Sequence, residues 1–190
     1  MEILGVVILV FFYSVYLGKM VIQRKKGIQT DQIAKRKKKD KQFYIELIMK
    51  FATYSVVLVE SISIFVIEPR LPQILIVFGI FLGIVGDFIF MISVVTMKDS
   101  WRAGLAEDDK TEMITSGIYQ ISRNPAFLGF DCVYLGILLM FFNIPLLIFS
   151  VFAMVMLHIQ ILQEEQYLTN VFKDDYINYK SQVYRYLGRK

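Results

Sequence analysis

The chain contains one cysteine, Cys132, and one histidine, His158. A lone cysteine excludes an intramolecular disulfide and any multi-cysteine metal site, and one histidine is too few for the usual zinc and haem constellations. Neither GxGxxG nor GxxxxGK[ST] occurs, so the two common phosphate-cradling loops are absent, and with them a Rossmann domain. Charge is scarce as well. Asp, Glu, Lys and Arg make up 20% of the 190 residues, and many of the basic ones sit in one short run. Hydrophobic residues reach 56% and aromatic residues 15%, with a mean hydropathy of +0.52. A soluble domain carries about 45–50% apolar residues, glycine included. This composition argues against a cytosolic enzyme, a nucleic-acid-binding domain and a disordered chain, and makes lipid the solvent for most of the protein.

Crossing a bilayer takes about 20 largely apolar residues. Five segments approach that length: Ile3–Val21, Phe43–Ile67, Leu71–Met97, Phe127–Phe142 and Pro145–Leu162. The first has Glu2 where a signal peptide has a basic region, and it lacks a small-residue cleavage site, so it is read as a retained helix. Only Asn143, Ile144 and Pro145 separate the last two, which predicts a helical hairpin with Asn-Ile-Pro as its turn. Beyond Leu162, the apolar positions Tyr167, Leu168, Val171 and Phe172 predict that the helix continues as an amphipathic segment. The expected fold is all-α and integral to the membrane, with about five transmembrane helices and a cytoplasmic C-terminal amphipathic helix.

Basic residues set the direction. There are ten between Lys19 and Lys41, one in Glu68–Arg70, four between Lys98 and Arg123, none at the Asn143 turn and five after Glu164. The alternation places the N-terminus outside and the C-terminus in the cytoplasm, with both larger polar segments facing the cytoplasm. The Lys35–Lys41 run suits lipid headgroups. No aromatic residues are interleaved with it for base stacking, so no nucleic-acid partner is expected. Gly79 and Gly83 form a GxxxG, a device for close helix approach. Lys50, Glu60, Asp87, Asp131 and His158 are polar residues inside the spans, where burial is expensive.

The second half carries the chemistry. Ser100-Trp101-Arg102-Ala103-Gly104 is followed by Gly117-Ile118-Tyr119 and then by Arg123-Asn124-Pro125-Ala126-Phe127. Asn124 before Pro125 is a good N-cap with proline in the first turn, so this stretch is the cytoplasmic start of the fourth span, where unpaired backbone N–H groups are available. Glu164 and Glu165 leave the fifth span at a helix end that would favour cations. Gln160 and Glu164 share a face at i, i+4.

The order Gly-Ile-Tyr, Arg-Asn-Pro-x-Phe-x-Gly, Asn143, Glu164-Glu165-x-x-Leu168 and Tyr176-x-x-Tyr179 resembles the isoprenylcysteine carboxyl methyltransferase superfamily, which includes phospholipid N-methyltransferases. The Ser-Trp-Arg-x-Gly stretch is similar to its small prokaryotic branch. The likeness extends from about Met97 to Tyr184. It implies an S-adenosylmethionine-dependent membrane methyltransferase with its cofactor at the cytoplasmic face and a small-molecule or lipid methyl acceptor. Carried over by position, the cofactor residues are Met113, Ile114, Tyr119, Asn124, Pro125, Phe127 and Glu164, with Glu165 as neighbour. The division implied is 1–97, three transmembrane helices with a basic loop over 19–41, and 98–190, the methyltransferase core.

Three positions depart from the family pattern. The motif's His is Asn124 and its second Tyr is Phe127. The Arg expected four residues before the Glu pair, which would meet a substrate carboxylate, is Gln160; a prenylcysteine carboxylate is therefore a poor match, and Gln160 is the candidate acceptor-binding residue. Methyl transfer from a sulfonium needs alignment more than a strong base, so no metal, triad or other catalytic residue is assigned; His158 is the first candidate if a base is required. The competing readings are a membrane reductase related to sterol reductases, which are typically longer, and a non-enzymatic membrane accessory protein.

Overall fold

The computed structural model describes residues 1–35, 39–104 and 112–190. The centre of the Lys35–Lys41 run and the middle of the polar segment from Trp101 to Tyr119 lie outside the described residues. The described chain forms five α-helices: α1 (Glu2–Lys25), α2 (Lys41–Val66), α3 (Gln73–Met97), α4 (Pro125–Met140) and α5 (Ile144–Gln182). No strand is present among the described residues, only isolated bridges. Four of the helices are long and apolar enough to cross a membrane, and α4 is the short one, at 16 residues. The protein is an all-α membrane fold.

Local chemistry sets the helix ends. The Asp40 carboxylate accepts from Phe43 N at 3.0 Å and starts α2, a cap that the sequence reading missed. At the hairpin, Asn143 accepts from Leu146 N at 2.9 Å, so Ile144 and Pro145 form the first turn of α5. The expected Asn-Ile-Pro turn becomes the short connection Phe141–Asn143 between α4 and α5, because proline at the first turn sacrifices no hydrogen bond. The amphipathic continuation is present but interrupted: Lys173 has φ 47° and ψ −121°, which breaks the helical path before Asp174–Gln182. A lysine gives no signal for such a break, since only glycine takes positive φ without strain.

Glycines bring α3 and α4 together. A Cβ at Gly136 would lie 2.7 Å from Gly79 O and 2.7 Å from Gly83 N, and one at Gly86 would lie 2.8 Å from Gly129 O. Backbones this close gain dispersion contacts that larger side chains would forbid. We expect Gly136→Ala to cost about 1–3 kcal/mol, as overpacking does. It should lower the melting temperature in detergent by several degrees. Gly18→Ala, where the added carbon meets nothing within 4 Å, should leave it unchanged; equal melting of the two variants would refute the packing.

Beside this seam lies an aromatic core. Phe12 stacks on Phe90 at 4.3 Å and meets Phe130 edge-on at 4.7 Å, and Tyr16 meets Trp101 edge-on at 5.6 Å. One end of the bundle is tied by the loop after α1. Gln23, fully buried, donates to Trp101 O at 3.1 Å and accepts from Thr30 Oγ1 at 2.6 Å. Gln32 N and Ala103 N bond across to Ala103 O and Thr30 O. At the opposite end, Asn143 Nδ2 donates to Ser63 Oγ at 2.9 Å. The helices therefore alternate in direction, and the polar segments after α1 and α3 share one end.

Candidate functional site

At that shared end, the last turn of α3, the start of α4 and the outgoing half of α5 surround a cleft enclosing about 140 Å³. Gly117 takes φ +60° and launches a tight turn, Gly117–Gln120, that carries Tyr119 inward. Tyr179 Oη fixes this turn by donating to Tyr119 O at 2.6 Å. Burial, with Tyr179 and Glu164 nearby, pushes the Tyr119 hydroxyl above the ordinary tyrosine range, so it stays protonated and remains a donor. The cleft is lined by Met113, Ile114, Tyr119, Asn124, Phe127 and Glu164, six of the residues singled out above. Arg102, Arg123 and Tyr176 also line it, and exposed Glu112 is at its edge.

The other two cofactor candidates, Pro125 and Glu165, do not line the cleft. Glu165, 4% exposed, receives Arg123 Nη2 at 2.7 Å on Oε1 and Arg185 Nη2 at 2.9 Å on Oε2. Arg185 Nε adds a bond to Oε1 at 3.1 Å, and Asn124 Nδ2 one at 3.3 Å. The hydrogen bond and charge of Glu165 hold the Arg185 guanidinium still more firmly protonated. Asn124 is thus not a side-chain cap. Its amide donates to Glu165 and to Arg185 O at 3.2 Å, and its own backbone N–H goes to Ser122 Oγ. Buried ionic neighbours outcompete the backbone for that amide.

The tail after α5 completes this arrangement. Arg123 N donates to Tyr184 O, Gly188 N to Ile121 O and Tyr184 N to Gly188 O. Gly188, at φ +112°, makes the reversal. Residues 183–190 therefore clasp the segment that leads into α4.

A second hollow of about 230 Å³ lies deeper in the bundle. Tyr13, Tyr16, Met49, Phe90, Phe130 and Leu157 give it an apolar lining, and Asp31, Lys50 and Gln160 add polar groups. The cleft and the hollow share five lining residues: Trp101, Arg102, Ala126, Phe127 and Glu164. Gln160 Nε2 donates to Glu164 Oε1 at 3.1 Å, as expected from their i, i+4 spacing. On the side of α1 and α2, the hollow is bordered by Leu17 and Tyr54, which are 55% and 66% exposed on the outer surface of these two long apolar helices.

His158 lines neither space; its Nδ1 is 2.6 Å from Tyr186 Oη. Lys50 pairs with Asp31 at 3.5 Å. Glu60, Asp87 and Asp131 also lie away from both spaces. The sequence reading did not single out Arg185, Leu168 or Phe172 as site residues, although the amphipathic pattern already named the last two. Trp101, Tyr176 and Tyr179 were quoted only as parts of motifs.

Residues 77–170 match the profile of the isoprenylcysteine carboxyl methyltransferase (ICMT) family. The match takes in most of α3, all of α4 and the part of α5 that carries Gln160, Glu164 and Glu165. No curated protein matches the chain.

Proposed function

Because the chain belongs to the isoprenylcysteine carboxyl methyltransferase superfamily, we propose that it transfers a methyl group from S-adenosylmethionine to a small or lipophilic acceptor at the cytoplasmic face of the membrane. The observation that carries this reading is the pair of adjoining spaces, one at the bundle end with Arg102, Arg123, Asn124 and Glu164 on its wall and one more apolar and within the bundle, which share Trp101, Arg102, Ala126, Phe127 and Glu164 as lining among the described residues. Methyl transfer needs two partners held end to end more than it needs acid–base groups.

The cleft's donor set fits the methyl donor. Glu164 offers a carboxylate for ribose hydroxyls or an ammonium, and Tyr119, Phe127 and Tyr176 offer rings to a flat base and to a sulfonium. Met113 and Ile114 supply apolar contact, and Asn124 supplies an amide. Pro125 and Glu165 contribute indirectly, by fixing Asn124. When bound, S-adenosylmethionine supplies the methyl group; the chain's residues orient both partners and keep water from between them. S-Adenosylhomocysteine should bind the purified protein with one-to-one stoichiometry in a calorimetric titration. NADPH binding in its place would favour a reductase and reject the proposal.

The cytoplasmic assignment rests on the basic-residue count and on the grouping of the polar segments at one bundle end. In a Cys132→Ser background, a cysteine at exposed Thr115 should be shielded from impermeant thiol reagents added outside the cell. One at exposed Glu68 should react. The reverse pattern would turn the protein over.

A further inference from the structure

Gln160 is fully buried on the wall of the deeper hollow. Its Nε2 donates to Glu164 Oε1. With Glu164 ionised its carboxylate only accepts, so this bond sets the nitrogen of the amide toward Glu164 and the oxygen on the other side. That oxygen is buried and accepts nothing from the described residues. An unmet acceptor away from water is costly, and a donor from outside the chain would relieve it.

The charges around the hollow already have partners. Lys50 Nζ lies 3.5 Å from Asp31, and Arg102 Nη1 donates to the carbonyls of Asp99 and Trp101. A carboxylate entering here would meet the carboxylate of Glu164 and the carbonyl of Gln160. At protein packing density the 230 Å³ accommodates roughly ten non-hydrogen atoms.

Resting on the methyltransferase reading, we infer that the acceptor is a small lipophilic molecule whose head carries a hydrogen-bond donor, N–H, O–H or S–H, directed at Gln160 Oε1, and is not a carboxylate. The head lies beside Glu164, on the wall shared with the cleft, and the apolar body lies among Tyr13, Tyr16, Phe90 and Phe130.

Trp101, the only tryptophan, lines the hollow and reports binding by its fluorescence. The probes are 3-phenylpropan-1-ol with its thiol and amine analogues, set against the methyl ether and the carboxylate of the same skeleton. At least one donor-headed probe should bind about tenfold more tightly than both the ether and the carboxylate, the worth of one buried hydrogen bond. The tightest of the three identifies the head. Gln160→Leu, or Gln160→Met where the first folds poorly, should erase the preference. An ether or carboxylate that matches all three donors, or no binding by any probe, would overturn the inference. These titrations contain no S-adenosylhomocysteine, so their outcome is separate from that of the methyl-donor titration.

Discussion

Glu164→Ala is expected to weaken S-adenosylhomocysteine binding roughly ten- to a hundred-fold, while the protein stays folded in detergent. The carboxylate lies on the wall common to both spaces, and among the described residues it accepts a side-chain hydrogen bond from Gln160 alone. Removing it deletes a charge-assisted hydrogen bond to the ligand, worth on the order of 1.5–3 kcal/mol. No buried cation loses its partner, so the fold should tolerate the loss. Calorimetric titration gives the affinity and a melting curve gives the fold; unchanged affinity in a folded variant would remove the cleft as the donor site. Asn124→Ala should weaken binding less.

The neighbouring residue should behave in the opposite way. Glu165→Ala is expected to cost about 3–5 kcal/mol of stability, because it leaves a guanidinium buried without its counter-charge. Arg123 is 5% exposed along its side chain and Arg185 33%, so Arg123 carries most of that cost. Arg185→Ala should be milder, since one end of the network is open to water. It should still loosen Asn124 by releasing the tail. Melting temperatures should order wild type above Arg185→Ala above Glu165→Ala. A Glu165→Ala variant as stable as wild type would show that the two arginines find other partners. On these two expectations the adjacent glutamates would separate into one for the ligand and one for the fold.

Several of these features could be read from the sequence, for identifiable reasons. Hydropathy located the helices because a bilayer demands about twenty apolar residues whatever the fold. The tight hairpin required the entry to α4 and the exit from α5 to lie at one membrane face, and Asn124 Nδ2 does reach Glu165 at 3.3 Å. The GxxxG signalled close approach, and α4 is the helix that makes it, with Gly136 opposite Gly79 and Gly83 and with Gly129 opposite Gly86. Other features had no pattern to announce them. Asn124 looked like a helix cap because capping is the commonest use of asparagine before proline, yet a buried carboxylate from another helix takes its amide. The clasp of residues 183–190 is held mainly by backbone bonds, which leave no mark on side-chain periodicity. The deeper hollow draws its lining from all five helices together, a long-range coincidence that one-dimensional spacing does not encode. Much of that lining, including Tyr13, Tyr16 and Met49, also lies outside the region shared with the family, so the family pattern leaves the identity of the acceptor open.

The position of Leu17 and Tyr54 at the lipid-facing edge of the hollow has a kinetic consequence under the proposed function. The donor arrives from water and the acceptor from the bilayer, through separate entrances, so neither must bind first and a random-order ternary complex is the natural scheme. The acceptor's working concentration is then its mole fraction in the membrane. Diluting the enzyme with extra lipid would raise the apparent KM for the acceptor while leaving that for the donor where it was.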